Sequence, residues 1–168
     1  MAEIKNLKDL YLDGIKDLYS ACKQSIPVTE DMARAAKNAD LKSALEASVK
    51  GTREGMASME KLAAAHGADA AGEHCRGMEG LVEEARKHAL QAQFADDDVQ
   101  DAAIIAQYQR LAHYAITGYG TLKAWAKRLD LSDDAKILDK ATASTYEGDE
   151  HMTKIAVKGG INKAAAKA

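Results

Sequence analysis

The fold is decided by residues 98–129, which read DVQDAAIIAQYQRLAHYAITGYGTLKAWAKRL. Apolar side chains recur here at alternating steps of three and four, which is typical of one face of a long core helix. Ala112 and Ala115 lie in the middle of that face, at the depth where metal-binding bundles carry carboxylates. The stretch therefore predicts a core helix without ligands at its centre. The predicted face comprises Ile105, Tyr108, Ala112, Ala115, Tyr119, Leu122, Ala126 and Leu129.

Three further stretches show helical spacing, and a shorter amphipathic stretch precedes residue 98. Pro27 lies within the first stretch and predicts a bend or a restart, because proline removes one backbone hydrogen bond. No alternation with a period of two occurs, so no strand is predicted. These elements predict an all-α, antiparallel four-helix bundle over residues 1–160, with a short helix in the crossover and a flexible basic tail over 161–168. The predicted helix starts are Asn6, Asn38, Cys75, Asp98 and Ser132, and the predicted stops are Gly67 and Gly159-Gly160.

Length and composition limit the class of protein. A chain of 168 residues with 46% hydrophobic and 29% charged residues is long enough for one domain with a hydrophobic core. The net charge of −3 favours neither nucleic acid nor an anionic membrane as a partner. No apolar run reaches transmembrane length and no secretory leader is evident. We therefore expect a cytoplasmic protein in which Cys22 and Cys75 remain reduced.

Three motifs carry a resemblance to a known family. They occupy residues 17–24, 75–85 and 113–126, and the last contains His113-Tyr114 and Ala124-Trp125-Ala126. In this order they resemble the YciE/YciF-type ferritin-like bacterial stress proteins. The resemblance implies a ferritin-like bundle, stress-linked expression and frequent dimers.

The same resemblance implies ligand positions for a di-iron or di-manganese site, and most of them are substituted. His113 and Asp149 are the retained ligand-type residues, and the acid of the last helix falls near Ser144 or Thr145. Alanine supplies no ligand, and added positive charge opposes dications in a low-dielectric core. We therefore expect a degenerate metal site, no cofactor and no catalytic residues. The substituted positions implied by the resemblance are Cys22, Lys50, Arg53, Ala112, Ala115 and Thr145.

Other polar groups are interpreted as surface or helix-end features. Glu147 and His151 lie one helical turn apart and could hold a single metal ion, but they fall off the apolar stripe, which favours a surface pair. Glu79 and Glu83 share a face of the short helix. The acidic run at 96–98 lacks the spacing of a calcium loop and instead complements a helix dipole.

Three functions remain open. The first is a non-catalytic ferritin-like stress protein with a structural or interaction role. The second is a metal-dependent oxidase or iron-handling protein that uses iron or manganese. The third is a small-molecule binder that uses core space freed by small residues. A homodimer is expected from the resemblance, and because Ile104 and Leu111 form a second apolar stripe on the long helix.

Overall fold

The computed structural model describes residues 3–168, and every regular element in this range is helical. Three-residue connections join α1 to α2 and α4 to α5, so each of these pairs is an antiparallel hairpin. The two hairpins meet through α1 on α4 and α2 on α5, with α3 in the crossover. The predicted all-α bundle is thereby confirmed. The elements are α1 (Leu7–Ala35), α2 (Ala39–Ala65), α3 (Arg76–Ala85), a π-helical continuation (Arg86–Gln91), α4 (Asp97–Arg128), α5 (Ser132–Val157) and α6 (Ile161–Ala165).

The predicted boundaries of the first hairpin are confirmed. The Asn6 side chain accepts a hydrogen bond from the backbone N–H of Asp9, and Asn38 caps α2 through the N–H groups of Asp40 and Leu41. These bonds satisfy N–H groups that have no partner within the helix. Gly67 follows the end of α2 with φ +69°, a conformation that favours glycine.

Two helix starts differ from the prediction. The cap of α4 is Asp96 rather than Asp98, because the Asp96 side chain accepts from the N–H groups of Asp98 and Val99. In a run of three aspartates, the first can reach the free N–H groups that follow it, whereas the other two lie in the first helical turn. Ser132 is the first residue of α5 rather than its cap, and Leu131 at the cap position makes no side-chain bond.

Of the bend or restart predicted at Pro27, the restart does not occur. Helix α1 continues through Pro27 to Ala35. Pro27 and Lys23, whose carbonyl loses its partner, are both exposed. Water can therefore satisfy that carbonyl, while Ile26 and Val28 remain buried and hold the helix on the core.

The C-terminal segment also differs from the prediction. Residues 161–168, expected to form a flexible basic tail, contain the short helix α6, which contacts α4 and α5. Gly160 has φ +89° and turns the chain, so that Ile161 is only 2% exposed. An apolar side chain placed directly after the turn anchors a segment whose lysines alone predicted a solvated end.

Helix α4 is enclosed within a single chain. It contacts α1, α3, the π-helical segment, α5 and α6. Ile104 and Leu111 are consequently 0% and 4% exposed. The second apolar stripe therefore packs internally, and its assignment to a dimer surface is wrong.

Candidate functional site

A cleft of about 860 Å³ lies at the centre of the bundle. Helices α2 and α5 form its walls, and α1 and α4 form its floor. Ala47, Gly51 and Ser144 are exposed along its mouth, so the cleft is open to solvent between the two walls. Because the residues of α2 and α5 at the mouth are small, the two helices do not close over the cleft. The lining includes Cys22 and Ser25 of α1, Ser48, Thr52 and Gly55 of α2, Tyr108, Ala112, Ala115 and Tyr119 of α4, and Ala141, Thr145 and Gly148 of α5.

Two tyrosines order the floor of the cleft. The Tyr108 hydroxyl donates to Ser48 Oγ at 2.8 Å and joins α4 to α2. The Tyr119 hydroxyl shares a hydrogen bond of 3.4 Å with Cys22 Sγ on α1. It also lies so close to Gly55 that any side chain there would collide with it. Gly55 therefore leaves the space beside α2 that the Tyr119 hydroxyl occupies.

The floor carries no charge near neutral pH. Burial raises the pKa of the Cys22 thiol to about 11. Burial also raises the pKa values of Tyr119 and Tyr108 above the ordinary range. The thiol and both hydroxyls therefore remain protonated and act as neutral hydrogen-bonding groups.

The structure brings four of the substituted positions together. Cys22, Ala112, Ala115 and Thr145 all line the cleft, on three different helices. Cys22 and Ala112 are buried, whereas Ala115 and Thr145 are partly exposed to the cleft. The Thr145 hydroxyl donates back to the carbonyl of Ala141 in its own helix.

The other two positions, Lys50 and Arg53, lie outside the cleft, and their assignment to its centre is wrong. Both are exposed, and Arg53 forms an ion pair of 2.6 Å with Glu30. The face of α2 that lines the cleft carries Thr52 instead. Residues two apart on a helix point to opposite sides, so Lys50 cannot share a face with Thr52. The apolar spacing of α2, which includes Thr52, contained the signal that identifies this inward face.

The retained ligand-type residues form a surface pair. His113 Nε2 lies 3.1 Å from Asp149 Oδ2, and the His113 side chain is 64% exposed. Gln109 donates to Asp149 Oδ1 at 3.0 Å. These contacts join α4 to α5 outside the cleft, so neither His113 nor Asp149 supplies it with a ligand.

The donor set of the cleft does not fit a di-metal centre. Glu147 and His151 lie at its rim, where both are exposed, and Glu79 is paired with His74 on the crossover. Across residues 3–168, no group of three His, Cys, Asp or Glu side chains is close enough to hold an ion. Two dications need several inward carboxylates, whereas the centre of this cleft offers hydroxyls, a protonated thiol and methyl groups.

A second groove lies on the other side of α4. Its volume is about 490 Å³, and Gly14, Tyr114, Gly118 and Trp125 are among its lining residues. Tyr114 donates a hydrogen bond to Asp17 at 3.0 Å and contacts Cys75 Sγ at 2.9 Å. The motif over residues 113–126 thus contributes to both sides of α4: Tyr114, Gly118 and Trp125 line this groove, whereas Ala115 and Tyr119 line the central cleft.

Comparison with known proteins gives one family and close structural matches. A family model described as a domain of unknown function, DUF892, matches residues 6–166. The chain is 30% identical over 166 residues to the protein YciF of Escherichia coli (strain K12), covering 98% of this chain and 99% of that protein.

The structural matches also cover most of the chain. The crystal structure of the E. coli stress protein YciF aligns with a TM-score of 0.85 over 92% of this chain and 96% of that one. YcfI of Rhodopseudomonas palustris, described as a candidate structural protein, aligns with a TM-score of 0.86 over 92% and 98%, again at 30% identity. Of the helices described here, none is both long and apolar enough to cross a membrane.

Proposed function

Because the chain belongs to the DUF892 family, we propose that it is a ferritin-like stress-response protein with a non-catalytic structural or interaction role. In this proposal the di-metal site of the bundle is degenerate. The observation that carries it is the lining of the central cleft, which has no inward carboxylate or imidazole where a metal-binding bundle would place them. Similarity to the E. coli stress protein YciF supports the stress-related part.

The spacing of the cleft residues supports a degenerate site. Carboxylate-bridged bundles use one Glu from each of two helices and a Glu-x-x-His pair from each of the other two. Residues with the matching spacing line this cleft, but they bear hydroxyl, thiol or methyl groups, or no side chain. Two dications would then lie in the cleft without the carboxylates that compensate their charge. The matching positions are Cys22 on α1, Ala112 on α4, Thr52 and Gly55 on α2, and Thr145 and Gly148 on α5.

Metal content tests this proposal directly. The full chain, produced in medium with iron and manganese, is to be purified without chelators and analysed by inductively coupled plasma mass spectrometry. We expect far less than one metal ion per chain. Near-stoichiometric iron or manganese that survives dialysis would contradict the proposal and favour a metal-dependent oxidase.

The volume of the cleft favours a second candidate function, the binding of a small molecule. About 860 Å³ falls within the range of ordinary ligand pockets, about 300–1,000 Å³. The neutral hydroxyls of Tyr108 and Thr145, among alanines, would suit an uncharged and mainly apolar ligand with a few polar atoms.

A variant that obstructs the cleft distinguishes small-molecule binding from a purely structural role. Titration with the neutral fluorophore N-phenyl-1-naphthylamine should give saturable binding to the parent chain. Ala115→Phe, which places a phenyl ring in the cleft, should weaken this binding. Ala124→Phe lies on an exposed position of the same helix and should leave it unchanged. Equal binding by both variants would exclude the cleft as the site.

Cytoplasmic location and dimerisation belong to the same proposal. Cys22 and Cys75 are both buried and both free, which is usual for a reducing compartment. The dimer is supported by the family resemblance alone, because the stripe of Ile104 and Leu111 packs internally. Multi-angle light scattering at micromolar concentration should give twice the mass of 18.0 kDa, and monomer mass alone would contradict a dimer.

A further inference from the structure

Three side chains form a hydrogen-bonded chain at one end of the bundle, and none of them lines the cleft. They lie where α1 begins, α2 ends and α5 begins. Lys8 Nζ is 2.7 Å from His66 Nδ1, and His66 Nε2 is 2.6 Å from Asp134 Oδ2. The His66 and Asp134 side chains are only 15% and 13% exposed, whereas Lys8 is half-buried and remains accessible from solvent.

The partners of His66 fix its tautomer. A lysine ammonium can only donate, so Nδ1 must accept from Lys8. Nε2 therefore carries the proton and donates it to the Asp134 carboxylate. Tyr11 holds this geometry, because its hydroxyl donates to the same Asp134 oxygen at 2.9 Å and its ring meets the imidazole edge-on at 6.0 Å between centroids. The Nδ1 lone pair thus stays directed at the Lys8 amine.

This is the arrangement by which proteins activate a nucleophile: a base within hydrogen-bond reach, oriented by a third group. We propose that Lys8 is an acyl-acceptor site, which reacts with small activated acyl donors while His66 acts as the base and Asp134 positions His66. The donors are acyl phosphates or acyl thioesters. The site is independent of the proposed function of the cleft.

The reaction is a simple acyl transfer. The unprotonated Lys8 Nζ attacks the carbonyl carbon of the donor, and a C–N bond forms. The proton lost from Nζ passes to His66 Nδ1. The bond from the carbonyl carbon to the phosphate oxygen or the thiolate sulfur breaks, and the leaving group departs with the electron pair. The products are the Lys8 amide and free phosphate or thiol, and His66 returns its proton to water.

The surroundings of Lys8 also increase the fraction of its amine that is unprotonated and therefore reactive. Burial lowers the pKa of Lys8, and this effect outweighs the opposing attraction of the Asp134 carboxylate. The Tyr11 ring, 5.5 Å from Nζ, favours the ammonium, as Asp134 does. The neutral fraction at a given pH is therefore larger than for an ordinary surface lysine, and the base lies in contact with it.

Site-resolved acylation tests the proposal. The folded full chain is treated with limiting acetyl phosphate or, separately, acetyl-coenzyme A, and acetylation is followed at each lysine by mass spectrometry. Lys136 is the internal control, because its side chain is 77% exposed and paired with Asp133. We expect Lys8 to react at least about tenfold faster than Lys136. A Lys8 rate at least about tenfold above that of Lys136 with either donor supports the proposal. If neither donor gives this difference between the two lysines, the proposal is overturned.

Two controls separate activation from mere accessibility. His66→Gln should reduce Lys8 acetylation about tenfold, while His88→Gln, at an exposed histidine beside Glu84, should not. In denaturing urea, the parent chain should lose the advantage of Lys8 over Lys136, because the cluster no longer exists. An advantage that persists in urea would overturn the proposal, whether or not the His66 variant folds.

Discussion

Gly55 is the residue on which the contact between α2 and the floor of the cleft depends. A methyl group there would collide with the Tyr119 hydroxyl, so Gly55→Ala should destabilise the protein by about 1–3 kcal/mol through overpacking. Gly51→Ala is the matched control: its Cβ would meet nothing within 4 Å, and it should stabilise the helix by about 0.5–1 kcal/mol. Urea denaturation measures both changes. Equal effects would show that the contact with Tyr119 is not tight.

The thiol of Cys22 should make the protein sensitive to alkali. Burial raises its folded-state pKa to about 11, above the value of 9.0 for an ordinary thiol. Its contribution to stability is therefore complete below about pH 9 and is lost as the pH rises toward 11. Over that window the parent chain should lose about 2 kcal/mol more than Cys22→Ala, in which this group is absent. Urea midpoints measured at matched pH values test this, and parallel profiles would contradict it.

At the scale of elements, Asp101 on α4 holds the turn between α1 and α2. Its carboxylate is 1% exposed and accepts from the N–H groups of Lys37 and Asn38 at 3.0 and 2.7 Å. Asp101→Asn replaces one accepting oxygen with an NH₂ group, so it should destabilise the protein by about 1–3 kcal/mol. The exposed Asp139→Asn should change stability by less than about 0.5 kcal/mol. Thermal denaturation of the two variants provides the comparison.

Local patterns predicted the elements because their causes are local. Asn6 and Asn38 cap helices through bonds to residues two or three positions away, and the alternation around Ala112 follows from the helical repeat itself. The expectations that were wrong depend on contacts between distant segments. The burial of Ile161 depends on the packing of α6 against α4 and α5. The outward position of Lys50 depends on the rotation of α2 about its own axis in the bundle.

The candidate sites required the assembled fold. The chemical character of the cleft was predictable, because Cys22, Ala112, Ala115 and Thr145 stand out as small or neutral residues on core faces. The open mouth of the cleft was not predictable from the sequence. It results from small residues on α2 and α5 that lie at the same level of the assembled bundle. His66 and Asp134 are separated by 68 residues along the chain, and Lys8 and His66 by 58. No spacing rule brings these three side chains together.

For the whole molecule, the central question is whether the bundle could still hold metal if ligands were restored. The variant combining Cys22→Glu, Thr52→Glu, Ala112→Glu, Thr145→Glu and Gly148→His places ligands on all four helices that line the cleft. Gly148 can take a side chain, since a Cβ there would lie 3.8 Å from the Tyr108 hydroxyl, an ordinary contact. Without metal, each unpaired carboxylate should cost several kcal/mol or be protonated through a raised pKa.

Manganese added during refolding should therefore raise the melting temperature of this variant and bind near-stoichiometrically, since the ligands form only in the folded bundle. The matched control carries Lys50→Glu with Arg53→His, a Glu-x-x-His pair on the exposed face of α2. It should neither retain manganese after dialysis nor respond to it on heating. Metal retention by the control alone would mean that α2 turns its other face inward, and the degenerate site would then lie elsewhere in the bundle.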